Sequence, residues 1–195
     1  MLAPFEITVC GIGELDEHCA VGVSHVLSIL DPDAPVPPAF GTFGEHERLE
    51  LRFHDVIADV PGMIAPQPEH VRGLLRFGAD LVREPPARAH LLVHCHAGIS
   101  RSSAAMTLIL AQALPERPAP DILQEVLRIR GKAWPNIRML DIGDAMLGRR
   151  GTLVAAAHEL YRWQLQRRPE LEAPMRDAGR AREVAAGLAL ARGPQ

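Results

Sequence analysis

The sequence lacks a long apolar run, a rich set of cysteines and a large net charge. No stretch of about 18 apolar residues occurs, and the N-terminus lacks a basic region followed by an apolar stretch, so we expect neither a membrane span nor a secretory signal. The formal net charge of −3 gives no reason to expect nucleic acid or an anionic membrane as a partner. The only cysteines are Cys10, Cys19 and Cys95, and this odd, sparse set favours a reducing cytoplasm over a disulfide framework.

Lysine is nearly absent, because Lys132 is the only one and arginine supplies almost all of the basic charge. Together with many alanines and prolines, this usage is typical of a bacterium with GC-rich DNA. Hydrophobic residues make up 47% of the 195 residues, which is enough for one α/β domain with a core. We expect that domain to cover residues 1–168. From Arg168 onward, prolines and charges predict a loosely attached C-terminal tail, 169–195, with a helix over 180–191.

Strand patterns alternate with helix patterns along the chain. Short apolar or alternating runs predict strands over residues 5–10, 25–30, 49–53 and 90–95. A turn with a short helix is predicted over 11–21 and a proline-rich loop over 31–40. Helical spacing predicts helices over 68–82, 102–114, 121–130, 136–147 and 152–167. This alternation favours an α/β fold, a mainly parallel central sheet flanked by helices, with the ligand site at the carboxyl end of a strand.

The most informative segment, residues 94–102, joins the strand that ends at Cys95 to the next helix. A strand, a tight loop containing Gly98 and a helix with Ser100 as its predicted N-cap leave several backbone N–H groups in the loop, near the positive end of the helix dipole. Such a concavity binds phosphate or sulfate.

A thiol and a guanidinium occupy the two ends of this loop. The helix N-terminus favours the thiolate form of Cys95, and the thiolate is the form of a cysteine that acts as a nucleophile. The planar guanidinium of Arg101 can hold two phosphate oxygens. The alternatives are a buried structural thiol and an ordinary ion pair, and the spacing favours neither. His90, His94 and His96 alternate beside Cys95, which could suggest a metal site, but the chain bends after Cys95 and we expect no metal.

The pattern Cys95-x5-Arg101 followed by Ser102 resembles the phosphate-binding loop of the cysteine-dependent protein tyrosine phosphatases, most closely their dual-specificity branch. Two weaker resemblances flank it, at residues 22–29 and at 130–136, where the sequence reads Arg-Gly-Lys-Ala-Trp-Pro-Asn. Together they cover approximately residues 7–148. The resemblance implies the protein tyrosine phosphatase fold and phosphomonoester hydrolysis, with no cofactor.

The resemblance also implies a role for each loop residue. Cys95 would attack phosphorus and form a phosphocysteine, Arg101 would bind the equatorial oxygens, and Ser102 would stabilise the thiolate as it leaves. His94 would support the loop by hydrogen bonding. The residues that would surround the phosphate are His96, Ala97, Gly98, Ile99, Ser100 and Arg101.

An upstream aspartate would protonate the leaving oxygen and later activate water. Asp55 directly follows the predicted strand 49–53 but lies 40 residues before Cys95, whereas Asp59 lies 36 residues before it, which fits the family spacing better. Strand context favours Asp55, because a strand end holds a side chain more rigidly than a loop does. Asp59 remains the alternative.

The expected substrate is a phosphorylated protein or a small phosphomonoester, and the loop should also bind phosphate, sulfate or vanadate. It lacks the lysines that phosphoinositide-directed relatives tend to place there, and Tyr161 is the only tyrosine, so no aromatic wall for phosphotyrosine is evident and we expect a shallow pocket. Two other classes stay open. A rhodanese-type sulfurtransferase also uses a Cys on a loop of backbone donors, and a non-catalytic phosphoprotein-binding module would need no proton donor.

Overall fold

A four-stranded parallel sheet forms the centre of the protein in a computed structural model that describes residues 3–18, 22–39, 45–85 and 89–191. The strands are β1 (Glu6–Gly11), β2 (His25–Leu30), β3 (Glu47–Arg52) and β4 (His90–Cys95). Their order across the sheet is β1-β4-β2-β3, and each neighbouring pair is parallel. The predicted parallel α/β architecture is therefore confirmed.

Helices pack on the face of the sheet that carries Leu91 and Val93, while on the opposite face Leu92 packs with Leu15. Within the described residues the helices are α1 (Pro68–Arg83), α2 (Arg101–Ala113), α3 (Ala119–Ile129), α4 (Ile137–Met146), α5 (Thr152–Arg167), α6 (Glu172–Asp177) and α7 (Ala181–Ala191), with 3₁₀ segments at Ile12–His18 and Pro169–Leu171. None of these helices is both long and apolar enough to cross a membrane.

The two central strands and helix α2 are buried, and the loop that joins β4 to α2 is therefore held in place at both ends. Every residue of β2 and β4 is buried, as expected for parallel strands covered on both faces. Helix α2 is buried on all sides from Arg101 to Ala111, which is the environment of a core helix. The segment from Cys95 to Arg101 is therefore anchored at both ends in the core.

The strands and helices predicted from the sequence lie close to those in the structure. The bounds predicted for β2, β4 and α5 agree with the structure, and the other strands and long helices differ by one or two residues at an end. The helix predicted within 11–21 is the 3₁₀ segment. Residues 19–21, including Cys19, and residue 40 of the predicted loop lie outside the described residues.

The C-terminal segment differs from the loosely attached tail that its charges predicted. The predicted helix over 180–191 is present as α7, but Arg180 is 4% exposed and Glu183 and Val184 are fully buried. Glu183 accepts hydrogen bonds from Trp134 Nε1 at 2.6 Å and from the Ile137 N–H at 2.9 Å. Two of the charges that indicated a solvated tail, Arg180 and Glu183, are thus buried and paired within the fold, while Glu170, Arg176 and Arg182 are exposed.

The contact between α2 and α4 depends on Gly143. A Cβ atom at this position would lie 2.6 Å from Leu108 Cδ1 and closer still to Cδ2, in a core where Leu108 is fully buried. We expect Gly143→Ala to lower the free energy of unfolding by about 1–3 kcal/mol, because overpacking outweighs the better helix propensity of alanine. Thermal or urea unfolding measures this change.

Gly73→Ala is the matched control on α1, because a Cβ atom there would meet Leu51 Cδ2 at an ordinary 3.7 Å. Its stability should be equal to or above that of the wild type, since alanine replaces glycine in a helix. A Gly143→Ala protein as stable as Gly73→Ala would contradict the close packing of α2 against α4.

Candidate active site

Cys95 is the last residue of β4, at the carboxyl edge of the sheet, and its Sγ lies 3.2 Å from Ser102 Oγ. The side chain is 2% exposed. Its neighbour across the sheet is Gly11, where a Cβ atom would lie 2.9 Å from the His96 carbonyl oxygen. The end of β1 therefore needs a glycine so that the loop after Cys95 can turn over it.

The loop turns at Gly98, which has a φ of +67°. Arg130 holds it from behind, donating from Nε to the Gly98 carbonyl at 2.9 Å and from Nη2 to the Ala97 carbonyl at 3.2 Å. Within the described part of the chain, the peptide N–H groups of residues 96–100 have no protein acceptor. The loop thus presents N–H donors at a helix N-terminus, the arrangement that binds tetrahedral anions.

Arg130 is itself fixed by Glu14. Its Nη2 lies 2.6 Å from Glu14 Oε2, which also accepts from the Gly11 N–H at 2.6 Å. Burial opposes ionisation of Glu14, but these hydrogen bonds and the positive charge of Arg130 outweigh it and lower its pKa to about 2. The carboxylate stays charged across the usual pH range, so the support behind the loop does not depend on pH.

Arg101 begins α2 and is 2% exposed. Its Nη1 donates to Asp31 Oδ1 at 2.6 Å and to the Phe53 carbonyl at 2.6 Å. Its buried Nε has no hydrogen-bond partner among the described residues. One part of the guanidinium is therefore fixed by protein, and Nε remains to bind an oxygen of a ligand.

The three histidines around Cys95 do not converge on a common point. His94 is fully buried, with Nε2 2.7 Å from Ser28 Oγ, and burial lowers its pKa to about 4, so the ring is neutral at neutral pH. His90 Nε2 lies 2.9 Å from Thr8 Oγ1, and His96 is exposed. Their surroundings are those of separate side chains and not of one ligand set.

Asp55 lies against the loop. Its Oδ1 accepts from Ser100 Oγ and from Asn136 Nδ2, each at 2.8 Å, and from Arg180 Nη2. Burial opposes ionisation, but the charges of Arg180 and Arg101 outweigh it, so the pKa of Asp55 lies below its ordinary value. Ser100 is the N-cap residue of α2, as predicted, but its hydroxyl makes no cap bond to the helix and donates to Asp55 instead.

Asp59 lies away from the loop. Its side chain is 85% exposed and pairs with Arg138 Nη1 at 2.8 Å. Of the two predicted acids, the structure places only Asp55 at the lining of the cleft that contains Cys95.

The sequence analysis missed three site residues, Asp31, Asn136 and Arg180. Asp31 had a signal, because it follows β2 and the carboxyl ends of neighbouring parallel strands meet at one edge. Asn136 lies in the segment 130–136 that carries one of the weaker resemblances, and it caps α4 by accepting from the Met139 N–H at 3.1 Å. Arg180 had no local signal.

The cleft over the loop has a volume of about 450 Å³. Its polar lining comes from Asp31, His54, Asp55, Cys95, His96, Ser100, Arg101 and Arg180. Thioether, methyl and methylene groups form the remaining walls, which come from Val56, Met63, Ala97, Ile99, Met175 and Ala178. The site therefore combines an anion-binding floor with apolar sides.

Comparison with solved structures identifies the fold. Tk-PTP in its active form is 21% identical, with a TM-score of 0.53 over 76% of this chain and 95% of that chain. Human DUSP28 is 19% identical, with a TM-score of 0.55 over 76% and 97%. The human tyrosine phosphatase-like serine/threonine/tyrosine-interacting protein is 16% identical, with a TM-score of 0.56 over 77% and 95%.

No protein-family model and no curated protein matches the chain. The structural likenesses show that it has the protein tyrosine phosphatase fold, in the form found in the dual-specificity branch. The fold that the sequence resemblance implied is confirmed.

Gly98→Ala tests the geometry of the loop directly. At φ +67° an alanine is strained, and its Cβ would lie 2.5 Å from the Cys10 backbone carbon and 2.6 Å from Arg130 Nη2. We expect the variant to fold but to bind inorganic vanadate at least about tenfold more weakly, because misplaced N–H donors lose charge-assisted hydrogen bonds. Calorimetric titration measures the affinity.

The control is Gly13→Ala, since a Cβ atom at that position has no heavy atom within 4 Å. It should bind vanadate as the wild type does. Equal affinity of Gly98→Ala and Gly13→Ala would mean that the loop N–H groups do not hold the anion.

Proposed function

We propose that the protein is a phosphomonoester hydrolase that works through a phosphocysteine intermediate on Cys95. One observation carries this proposal. The Cys95 thiol, the Arg101 guanidinium and a row of N–H donors lie in one short loop at the start of a buried helix, and among the described residues Arg101 Nε and these N–H groups have no protein acceptor. A nucleophile inside an anion-binding loop suits attack on phosphorus.

In the first step, the Cys95 thiolate attacks phosphorus, so that an S–P bond forms and the P–O bond to the leaving group breaks. Asp55 gives its proton to the departing oxygen. Arg101 and the loop N–H groups bind the equatorial oxygens, where charge accumulates in the transition state.

In the second step, water attacks phosphorus and the S–P bond breaks, while the Asp55 carboxylate takes a proton from the water. The electron pair returns to sulfur. Ser102, whose Oγ lies 3.2 Å from Sγ, donates a hydrogen bond to the departing thiolate. The products are inorganic phosphate and the free enzyme.

The contacts of Asp55 support its role as the proton donor. Among the described residues, its three donors all go to Oδ1, which leaves Oδ2 as the oxygen that carries the proton. Because the pKa of Asp55 is lowered, the protonated form is lost at a lower pH than for an ordinary aspartic acid. We therefore expect the rate of the first step to begin to fall, as the pH rises, at a lower pH than an ordinary aspartic acid would give.

The proposed substrate is a phosphorylated protein side chain, on tyrosine or with dual specificity, or a small phosphomonoester. The apolar sides of the cleft support an apolar or aromatic leaving group, since methionine thioethers such as those of Met63 and Met175 pack well against rings. The sparse cysteines support a cytoplasmic location, which remains a prediction.

Replacement of the nucleophile tests the function. Wild-type protein should hydrolyse p-nitrophenyl phosphate, and Cys95→Ser should show no turnover while keeping its melting temperature. Arg101→Lys should lose at least about a hundredfold in kcat/KM despite keeping the charge, because the ammonium group cannot reproduce the planar contact.

Full activity in Cys95→Ser would overturn the proposal. An inactive wild-type protein that takes sulfur from thiosulfate onto Cys95 would instead be a sulfurtransferase. An inactive wild-type protein that binds phosphopeptide would be a binding module.

The proton donor is tested by comparing Asp55→Asn with Asp59→Asn. Asp55→Asn should lose most of its activity on alkyl phosphates, whose leaving groups need a proton, and keep more of it on p-nitrophenyl phosphate. It should also lose the basic limb of the pH profile, where the wild type needs a protonated carboxyl. Asp59→Asn should resemble the wild type, because Asp59 is exposed and paired with Arg138. The reverse result would assign the acid to Asp59.

A further inference from the structure

Arg180 is a buried cation that reaches the site from the C-terminal segment. It directly precedes α7, its side chain is 5% exposed, and it lines the cleft that contains Cys95. A guanidinium is rarely buried unless acceptors surround it. The acceptors around the Arg180 guanidinium therefore indicate its role.

The guanidinium joins two carboxylates and a hydroxyl. Nη2 donates to Asp55 Oδ1 and to Ser100 Oγ, and Nη1 lies 3.0 Å from Glu183 Oε1. Ser100 Oγ in turn donates to Asp55 Oδ1 at 2.8 Å. Arg180, Asp55 and Ser100 thus form a closed triangle, and one corner of it belongs to the phosphate-binding loop.

Helix α7 holds the guanidinium in place. Glu183 is fixed at the start of α4 by hydrogen bonds from Trp134 Nε1 and the Ile137 N–H. At Gly187, α7 approaches α5 so closely that a Cβ atom would lie 2.9 Å from the Arg162 backbone nitrogen. Because the helix is docked at two points, the position of Arg180 is set by packing and not by the loop alone.

We propose that Arg180 is a positioning residue that binds Asp55 Oδ1 and Ser100 Oγ together, so that Oδ2 faces the substrate and the C-terminal helix is part of the active site. This inference rests on the proposed function and adds to it the residue that orients the acid. Arg180 acts through Asp55 and does not itself touch the reacting atoms.

The charges around Asp55 predict how the pH dependence of the first step changes when Arg180 is replaced. Arg180 and Arg101 face it as cations, Asn136 and Ser100 donate to it as neutral groups, and the carboxylate of Glu183 lies behind Arg180. Without Arg180, burial and one remaining cation act on Asp55, so its pKa rises. The protonated acid then persists to higher pH, and the basic limb of the first step moves upward.

The experiment is the pH dependence of kcat/KM for an alkyl phosphate and for p-nitrophenyl phosphate in the wild type, Arg180→Met and Arg180→Lys. We expect Arg180→Met to move the basic limb upward by about one pH unit or more and to lower kcat for the alkyl phosphate more than for the aryl one. Arg180→Lys keeps the charge but cannot bridge both acceptors, so its limb should move less.

A double-mutant cycle separates positioning from general stability. In an Asp55→Asn background, Arg180→Met should have little further effect on kcat/KM, because Arg180 acts through Asp55. If the two substitutions lowered kcat/KM by factors that multiply in the double variant, the inference would be overturned. A basic limb at the wild-type pH in both Arg180→Met and Arg180→Lys would also overturn it. If Arg180→Met does not fold, Arg180→Lys supplies the same cycle.

Glu183→Gln tests whether the basic limb of the pH profile reports the titration of Glu183 and not that of Asp55. Burial raises the pKa of Glu183 to about 7, so its titration lies well above that of Asp55. A basic limb that disappears in Glu183→Gln and persists in Asp55→Asn would also overturn the inference. A wild-type protein without turnover would contradict the proposed function instead.

Discussion

The site depends on one constraint, the burial of the Arg101 guanidinium at the start of α2. Removing a guanidinium from water costs several kcal/mol unless acceptors replace the solvent. Asp31 and the Phe53 carbonyl, which follow β2 and β3, supply acceptors for Nη1. Among the described residues, Nε has no acceptor. Three strand ends therefore converge on one cation, and its remaining donor is complementary to an anion bound in the loop after Cys95.

Two sets of charges hold that loop on opposite sides. Behind it, Arg130, which is paired with Glu14, donates to the carbonyls of Ala97 and Gly98 and fixes the turn. In front of it, Asp55 and Arg180 bind the hydroxyl of Ser100. Each cation is matched by a carboxylate, so neither set leaves a buried charge unpaired. The loop is thus held through its carbonyls and its serine, and in the part of the chain that the structure describes its N–H groups have no protein acceptor.

Local sequence pattern predicted the elements and the loop, because those features depend on neighbouring residues. The apolar runs predicted both ends of β2 and β4 correctly. The spacing of Cys95 and Arg101 indicated an anion site from sequence alone. Long-range pairing was not predictable in this way. Ser100 has the local signature of a helix cap, yet its hydroxyl bonds Asp55 from another strand end. The charges of Arg180 and Glu183 predicted exposure to solvent, whereas both side chains are buried and form an ion pair.

The most direct measurement is acid-quenched mass spectrometry of the protein during turnover of p-nitrophenyl phosphate, with Asp55→Asn included because loss of the base slows hydrolysis of the intermediate. The account predicts a phosphate adduct on the peptide that contains Cys95, accumulating in Asp55→Asn and absent from Cys95→Ser. Turnover with no adduct, or with phosphate on a different residue, would contradict it.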